Sequence, residues 1–298
     1  MVACQPATAP KEPPLVIRVD PSQAAAIAAE TRKNTPAILA EGLTMSLWAS
    51  DSLAPDPVAM SVDDQGRIYL TRTVRQKNSE FDIRGHQDWM TPSIGLQTTE
   101  DRRAFLHSTF APELSLKNAW LKDLNGDGSH DWKDLAVEKE EVWRLEDSTG
   151  DGYADKATRI VHDFNDEITD IAGALLVREK DMFVGVGPDM WRMEDKDGDG
   201  IPEQKTSIST GYAVHIGFSG HNMSGAIEGP DGKIYWNMGD IGANITALDG
   251  KKYAHPNEGI IVRCNPDGSD FEVYAAGLRN THEFVFDEYG NLISSDND

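Results

Sequence analysis

An all-β chain of the propeller class is what this sequence predicts, on three observations. From Leu43 onward, short apolar runs alternate with Gly, Asp and Pro turns, the punctuation of an all-β array. A strand that runs into a turn recurs. Val142-Trp143-Arg144-Leu145-Glu146-Asp147 leads into STGDGYAD, Met190-Trp191-Arg192-Met193-Glu194-Asp195 leads into KDGDGIPE, and a degenerate copy, Ile261-Val262-Arg263-Cys264, leads into NPDGSD. A turn that runs into a strand recurs as well, as DDQGRIYL (63–70), REKDMFVGV (178–186), GPDGKIYWNM (229–238) and DEYGNLISS (287–295). One of each in roughly every 45 to 50 residues is what a propeller blade supplies, and a blade buries its faces only against its neighbours. A β-sandwich would share the turns but gives no reason for the repeated Trp-Arg pair. The count predicts about four blades over 43–298, and a chain that stops at LISSDND reads as part of a larger ring.

The elements follow in order. Residues 1–20 read as leader and linker. Val-Ala-Cys before a Pro/Ala-rich stretch places Cys4 where a bacterial lipoprotein is lipidated, which would put the protein in the periplasm or cell envelope; an arbitrary start beside a leader is the other reading. Residues 21–42 are Ala-rich and predict a helix interrupted at Pro36. After the first turn–strand, 76–118 breaks the rhythm and reads as an insertion with a short helix after Thr99; insertions of this length are often functional. No stretch of about 20 apolar residues is present to span a bilayer.

Composition narrows the partners. Lys+Arg number 28 against 50 Asp+Glu, a net charge of −22, which repels nucleic acid and anionic lipid and attracts hard cations. Only two cysteines, Cys4 and Cys264, leave no disulfide framework. Three segments share one layout: Asp123-x-Asn125-x-Asp127-Gly128-x-x-Asp131, Asp147-x-Thr149-x-Asp151-Gly152-x-x-Asp155 and Asp195-x-Asp197-x-Asp199-Gly200-x-x-Glu203. Oxygens at positions 1, 3 and 5 converge when such a loop curls round a cation, Gly at 6 permits the turn, and the acid at 9 closes the shell. They resemble the short calcium turns of dockerin-type repeats rather than EF-hands. The third, all carboxylate, is the best candidate for calcium. Asp and Gly also favour turns without any ion.

His221 and Asp240 flank the turn–strand at 229–238. If 224–228 is the partner strand of a hairpin, both emerge at one end of the blade. A carboxylate beside an imidazole fixes its tautomer and stabilises its charged form, the equipment of a general base. A loop histidine bonded to a backbone carbonyl is the plainer reading. His215 and His255 carry no pattern and read as structural, and the seven Trp residues read as inter-blade packing.

Through His-x₈-Pro-Asp-Gly-Lys-Ile-Tyr…Gly-Asp-x-Gly (221–242) and Gly277-Leu278-Arg279-Asn280, the chain resembles the soluble quinoprotein glucose dehydrogenases and their glucose/sorbosone dehydrogenase relatives. Through Pro57-Val58-Ala59-Met60…Gly66-Arg67-Ile68-Tyr69 and the Leu-Glu-Asp-x-x-Gly-Asp-Gly turns, it is also similar to the large dehydrogenase-like proteins of planctomycete and verrucomicrobial bacteria. The resemblance implies a six-bladed ring that uses pyrroloquinoline quinone (PQQ) and calcium to oxidise a sugar or alcohol and hand electrons to an acceptor, possible protein partners included. It makes His221 the base for the substrate hydroxyl, Asp240 its orienting partner, and Arg279 and Asn280 the quinone's ligands. Thr281 stands where that family has Pro. The alternative is a calcium-stabilised propeller that binds a glycan or protein and does no chemistry.

Overall fold

The computed structural model describes residues 14–297, so Cys4 lies outside the described residues. The chain is all-β: four antiparallel sheets carry most of its regular structure, with few helices. Three four-stranded meanders follow one another. The first is β2 (Pro57–Val62), β3 (Ile68–Arg72), β4 (Glu140–Glu146) and β5 (Lys156–Phe164); β1 (Val16–Arg18) adds a fifth strand outside β5. The second is β6 (Ala172–Val177), β7 (Asp181–Val186), β8 (Asp189–Glu194) and β9 (Gln204–Tyr212). The third is β10 (Met223–Glu228), β11 (Ile234–Met238), β14 (Gly259–Cys264) and β15 (Glu272–Leu278). A hairpin of β16 (Phe284–Phe286) and β17 (Leu292–Ser294) begins a fourth.

The first strands of these sheets stand side by side: β2 beside β6, β6 beside β10, β10 beside β16. Such sheets fan about a common axis, as propeller blades do. Among the described residues no strand pairing joins the last sheet to the first, so the fan is an open arc. The expected four blades are three whole ones and a leading hairpin.

The main core lies between the second and third sheets, where Phe183, Met190 and Tyr212 meet Trp236, Ile260 and Phe271. A second core, with Tyr69, Val142, Val161, Val184 and Met193, fills the space between the first and second. A hairpin of β12 (Ala243–Ala247) and β13 (Lys252–His255) leaves the third sheet between β11 and β14 and pairs with β9, the outer strand of the second. It clasps one blade to the next.

Three expectations need correction. The first helix, α1 (Pro21–Asn34), stops eight residues short of 42: Asp20 caps its start, and Thr35 leaves the helical region because the residue before Pro36 cannot stay in it. The leader is shorter than 1–20, since Val16, Ile17 and Arg18 pair with Thr158, Ala157 and Lys156. The insertion is longer than 76–118, and nothing between Arg72 and Glu140 is strand. It holds α2 (Met90–Ile94) and α3 (Thr99–Thr109), the latter opened by a capping box of Thr98 and Asp101. Its own core joins Ile83, Trp89, Leu106, Phe110 and Leu135 to Ile168 and Ile216 of the blades.

Candidate functional site

Strand register decides which loops share an end. Met223 pairs with Met238, Met238 with Ile260, and Gly259 with Leu278, so the segments before β10, after β11 and after β15 emerge together. These carry His221, Asp240 and Arg279. The opposite end of the first and second sheets holds the second and third Asp-rich turns, because Glu146 pairs with Lys156 and Glu194 with Gln204.

His221 and Asp240, 19 residues apart, are in contact: His221 Nδ1 lies 2.6 Å from Asp240 Oδ1. An ionised carboxylate only accepts, so Nδ1 carries the proton and the neutral ring offers Nε2 as a base. No hydrogen bond to that Nε2 is formed among the described residues. The His221 side chain is 7% exposed and Asp240 30%. Arg279 Nε stands 4.0 Å from the other oxygen of Asp240, and its guanidinium lies over the Phe218 ring, 5.5 Å from the centroid. Phe218 is itself 5.4 Å from the His221 ring.

Backbone contacts hold this arrangement. Asp240 N–H donates to the Arg279 carbonyl at 2.7 Å, and the Asp296 carboxylate accepts from the N–H groups of both Arg279 and Asn280. Gly239 is the point of closest approach. A Cβ there would sit 2.4 Å from the His221 carbonyl oxygen and 2.9 Å from Asn280 Oδ1, so only Gly lets the three loops meet. Asn280 is turned inward: it is buried, and its amide donates to the Gly220 carbonyl and to His282 Nε2. Its Oδ1 is buried without a partner.

The insertion packs against the same end. Ile83 N–H donates to the Gly217 carbonyl, and Ser93 Oγ both donates to the Ile216 carbonyl and accepts from Ile216 N–H. Ser219 bonds Glu80 through its hydroxyl and Asp82 through its N–H. Burial, with Asp170 nearby, pushes the Glu80 carboxyl up to about 7, against the pull of the Ser219 hydroxyl. Below it, Glu140 is also raised to about 7 by burial, although Ala172 N–H, the Thr73 hydroxyl and Arg75 favour its charged form. Between α2 and the loops at 215–218 and 240–257 lies a cleft of about 380 Å³, with Asp240 in its wall. His215, read from sequence as structural, also lines it, and His255 pairs with Glu258 at 2.7 Å.

The three Asp-rich turns fold alike. The first Asp of each accepts from the Gly at position 6: Asp123 from Gly128 at 3.0 Å, Asp147 from Gly152 and Asp195 from Gly200 at 2.7 Å. Only the third gathers four acids, among the described residues. One oxygen each from Asp195, Asp197, Asp199 and Glu203 lies within 4.8 Å of all the others. Ligands about 2.4 Å from a cation and across it from one another are separated by about that distance, so this set can hold a metal ion. In the second turn Thr149 replaces an acid, and Asp155 takes both its bonds from Ser148. The first turn is not between strands, as its layout suggested, but inside the insertion. Its Asp131 caps the short helix Trp132–Ala136, and the bond to the residue at position 2, Leu124 N–H, is accepted by Asp134. Asp134 went unnoticed in the sequence, although an acid at position 12 of an Asp-rich loop was the available signal. Phe218, Asp296 and Glu80 had no signal at all; only the fold brings them to the site.

Comparison with known proteins adds a family and little else. No curated protein matches. A solved structure of oligogalacturonate lyase in complex with manganese is similar at 10% identity and a TM-score of 0.37, over 80% of this chain and 46% of that one. The chain thus spans about half the length of that structure. Residues 35–298 match a domain of unknown function, DUF7133, and the chain therefore belongs to the DUF7133 family.

Proposed function

We propose that this chain carries the general-base site of a quinone-dependent sugar or alcohol dehydrogenase, with calcium held at 195–203. One observation carries the reading: His221, Asp240 and Arg279, from three separate loops, meet at one end of the third sheet. The resemblance of 221–242 and 277–280 to the quinoprotein glucose dehydrogenases supports the same assignment.

Asp240 fixes the tautomer and stabilises the imidazolium that forms when His221 Nε2 takes a hydroxyl proton. Such a base contributes roughly 10²–10⁴ in rate. Arg279, beside Asp240 and with one N–H given to Asn297 Oδ1, offers the rest of its planar guanidinium to a carbonyl or carboxylate oxygen. For PQQ the fit covers one edge: Arg279 would hold it, while Asn280 braces the His221 loop and would meet the cofactor only by giving up its bonds to Gly220 and His282. When bound, the quinone supplies the hydride acceptor. For calcium, the four clustered carboxylates match its preference for hard oxygen ligands.

The second reading, a calcium-stabilised module that binds a glycan or protein, is favoured by the burial of the His221 ring. The native gene product, supplied with PQQ and calcium, separates the two. Dye reduction with an aldose or alcohol, lost in His221→Asn, is expected; failure with every member of the panel ends the dehydrogenase reading.

A further inference from the structure

The cleft beside Asp240 has the size of a small-molecule site, near the lower end of the usual range of about 300–1,000 Å³. Its walls are apolar. Met90 and Ile94 of α2 project into it from one side, and both are unusually open for such residues, 49% and 66% exposed. Phe218 and Ile241 face them. The polar groups around it are mostly spent on one another. Ser93 is bonded twice to Ile216, and its carbonyl takes the Nδ1 proton of His215. His215 Nε2 in turn lies 3.0 Å from Asn257 Oδ1, so that amide oxygen is also taken. What remains for a ligand is the Asp240 carboxylate. It accepts hydrogen bonds and repels anions.

We infer that this cleft binds the body of the substrate, and that the substrate is a neutral alcohol with an apolar body rather than a free aldose. The hydroxyl lies at the Asp240 end of the cleft, where the His221 base bonded to Asp240 is to take its proton, while the hydrocarbon part lies between α2 and Phe218. A polyhydroxylated sugar would leave most of its hydroxyls facing Met90, Ile94 and Ile241 without partners. Ile94 and Met90 are then specificity residues supplied by the insertion. The assignment rests on the proposed function for its chemistry, but not for its binding.

The test is binding of the primary n-alkanols from ethanol to hexanol, measured by ligand-observed NMR on the full chain without quinone. Affinity should rise about fourfold per methylene until the cleft is full, and glucose should not compete. Ile94→Asp, a change at an exposed position, should flatten the series while the unfolding temperature stays put. An affinity independent of chain length, an undiminished series in Ile94→Asp, or competition by glucose overturns the inference. If the series holds and no alcohol is ever oxidised, the binding site stands and the dehydrogenase reading alone falls.

Discussion

Titrating calcium into the purified protein should raise its unfolding temperature, through the turn at 195–203. Four carboxylates crowd there with oxygens inside 4.8 Å, and among the described residues no cationic side chain forms a salt bridge with Asp195, Asp197 or Asp199. A divalent ion that binds only the folded turn stabilises the chain by mass action. At 100 times the dissociation constant the gain is about 2.7 kcal/mol. For a chain of this size that is roughly 4 °C. The double variant Asp197→Asn/Asp199→Asn removes half the charge and keeps the turn's own bonds, since an amide oxygen still accepts from Asp199 N–H and Ile201 N–H. It should bind calcium at least tenfold more weakly by calorimetry and lose most of the thermal shift. Asp151→Asn in the second turn, where Thr149 already weakens the set, should change the shift little. An unchanged unfolding temperature at millimolar calcium, or the same shift in the double variant, would refute the reasoning.

Other outcomes follow from the opposite end. Asp240→Asn leaves His221 free to take the wrong tautomer; under the proposed function, dye reduction should fall by roughly 10²–10³, with kcat affected more than KM. Glu140 binds a proton in the folded state between its ordinary 4.5 and about 7 that the unfolded chain has lost, so stability is greatest below that window and declines as pH rises through it. Glu80 shares the direction and the window. Glu140→Gln should remove up to roughly 3 kcal/mol of that decline in urea titrations at pH 5 and pH 8, and an unaltered slope would contradict the assignment. Ser93→Ala orphans a carbonyl and an N–H of Ile216, costing about 2 kcal/mol, and should speed protease cleavage within the insertion before the blades unfold.

Much of this was legible because it is periodic. The turn Pro230-Asp231-Gly232 and the alternation after it specify β10 and β11, and the hairpin follows; from the hairpin, the meeting of His221 and Asp240 follows too. The Asp turns were legible as chemistry but not in their differences. Position 9 looks alike in all three, and Asp155 and Glu203 both accept the N–H at position 2, yet Asp155 also takes the Ser148 hydroxyl, and Asp131 is a helix cap. Those outcomes depend on Ser148 and Asp134, neighbours whose geometry no repeat prescribes. Arg279 came only from the family resemblance, and Phe218 and the wall formed by α2 came from nowhere in the sequence. Their places depend on how the insertion packs on the second and third sheets, a long-range contact without local pattern. The inserted hairpin of β12 and β13 went unseen for the same reason: its partner, β9, belongs to the preceding blade.

The Arg of the first Trp-Arg pair has a role that joins these observations, while Arg192 of the second pairs with Asp181 of its own sheet. Arg144, from the first copy, reaches out of its own sheet to donate to the Asp199 carbonyl in the cation turn of the second. The contact is so close that a Cβ on Gly200 would lie 1.6 Å from the Arg144 guanidinium, and Gly200 has φ +83° besides. The Arg therefore binds one blade to its neighbour through the turn that gathers four acids. Gly200→Ala meets two obstacles at once, a left-handed backbone and an occupied space. It should weaken calcium binding and loosen the first sheet from the second together, seen as faster hydrogen exchange at β2 and β6 with β11 and β14 unaffected. Arg144→Met should loosen the same pair of sheets while the turn keeps its four carboxylates and its calcium. If Gly200→Ala changes calcium affinity and leaves exchange between the sheets as it was, the turn is an isolated ion site and Arg144 has some other purpose.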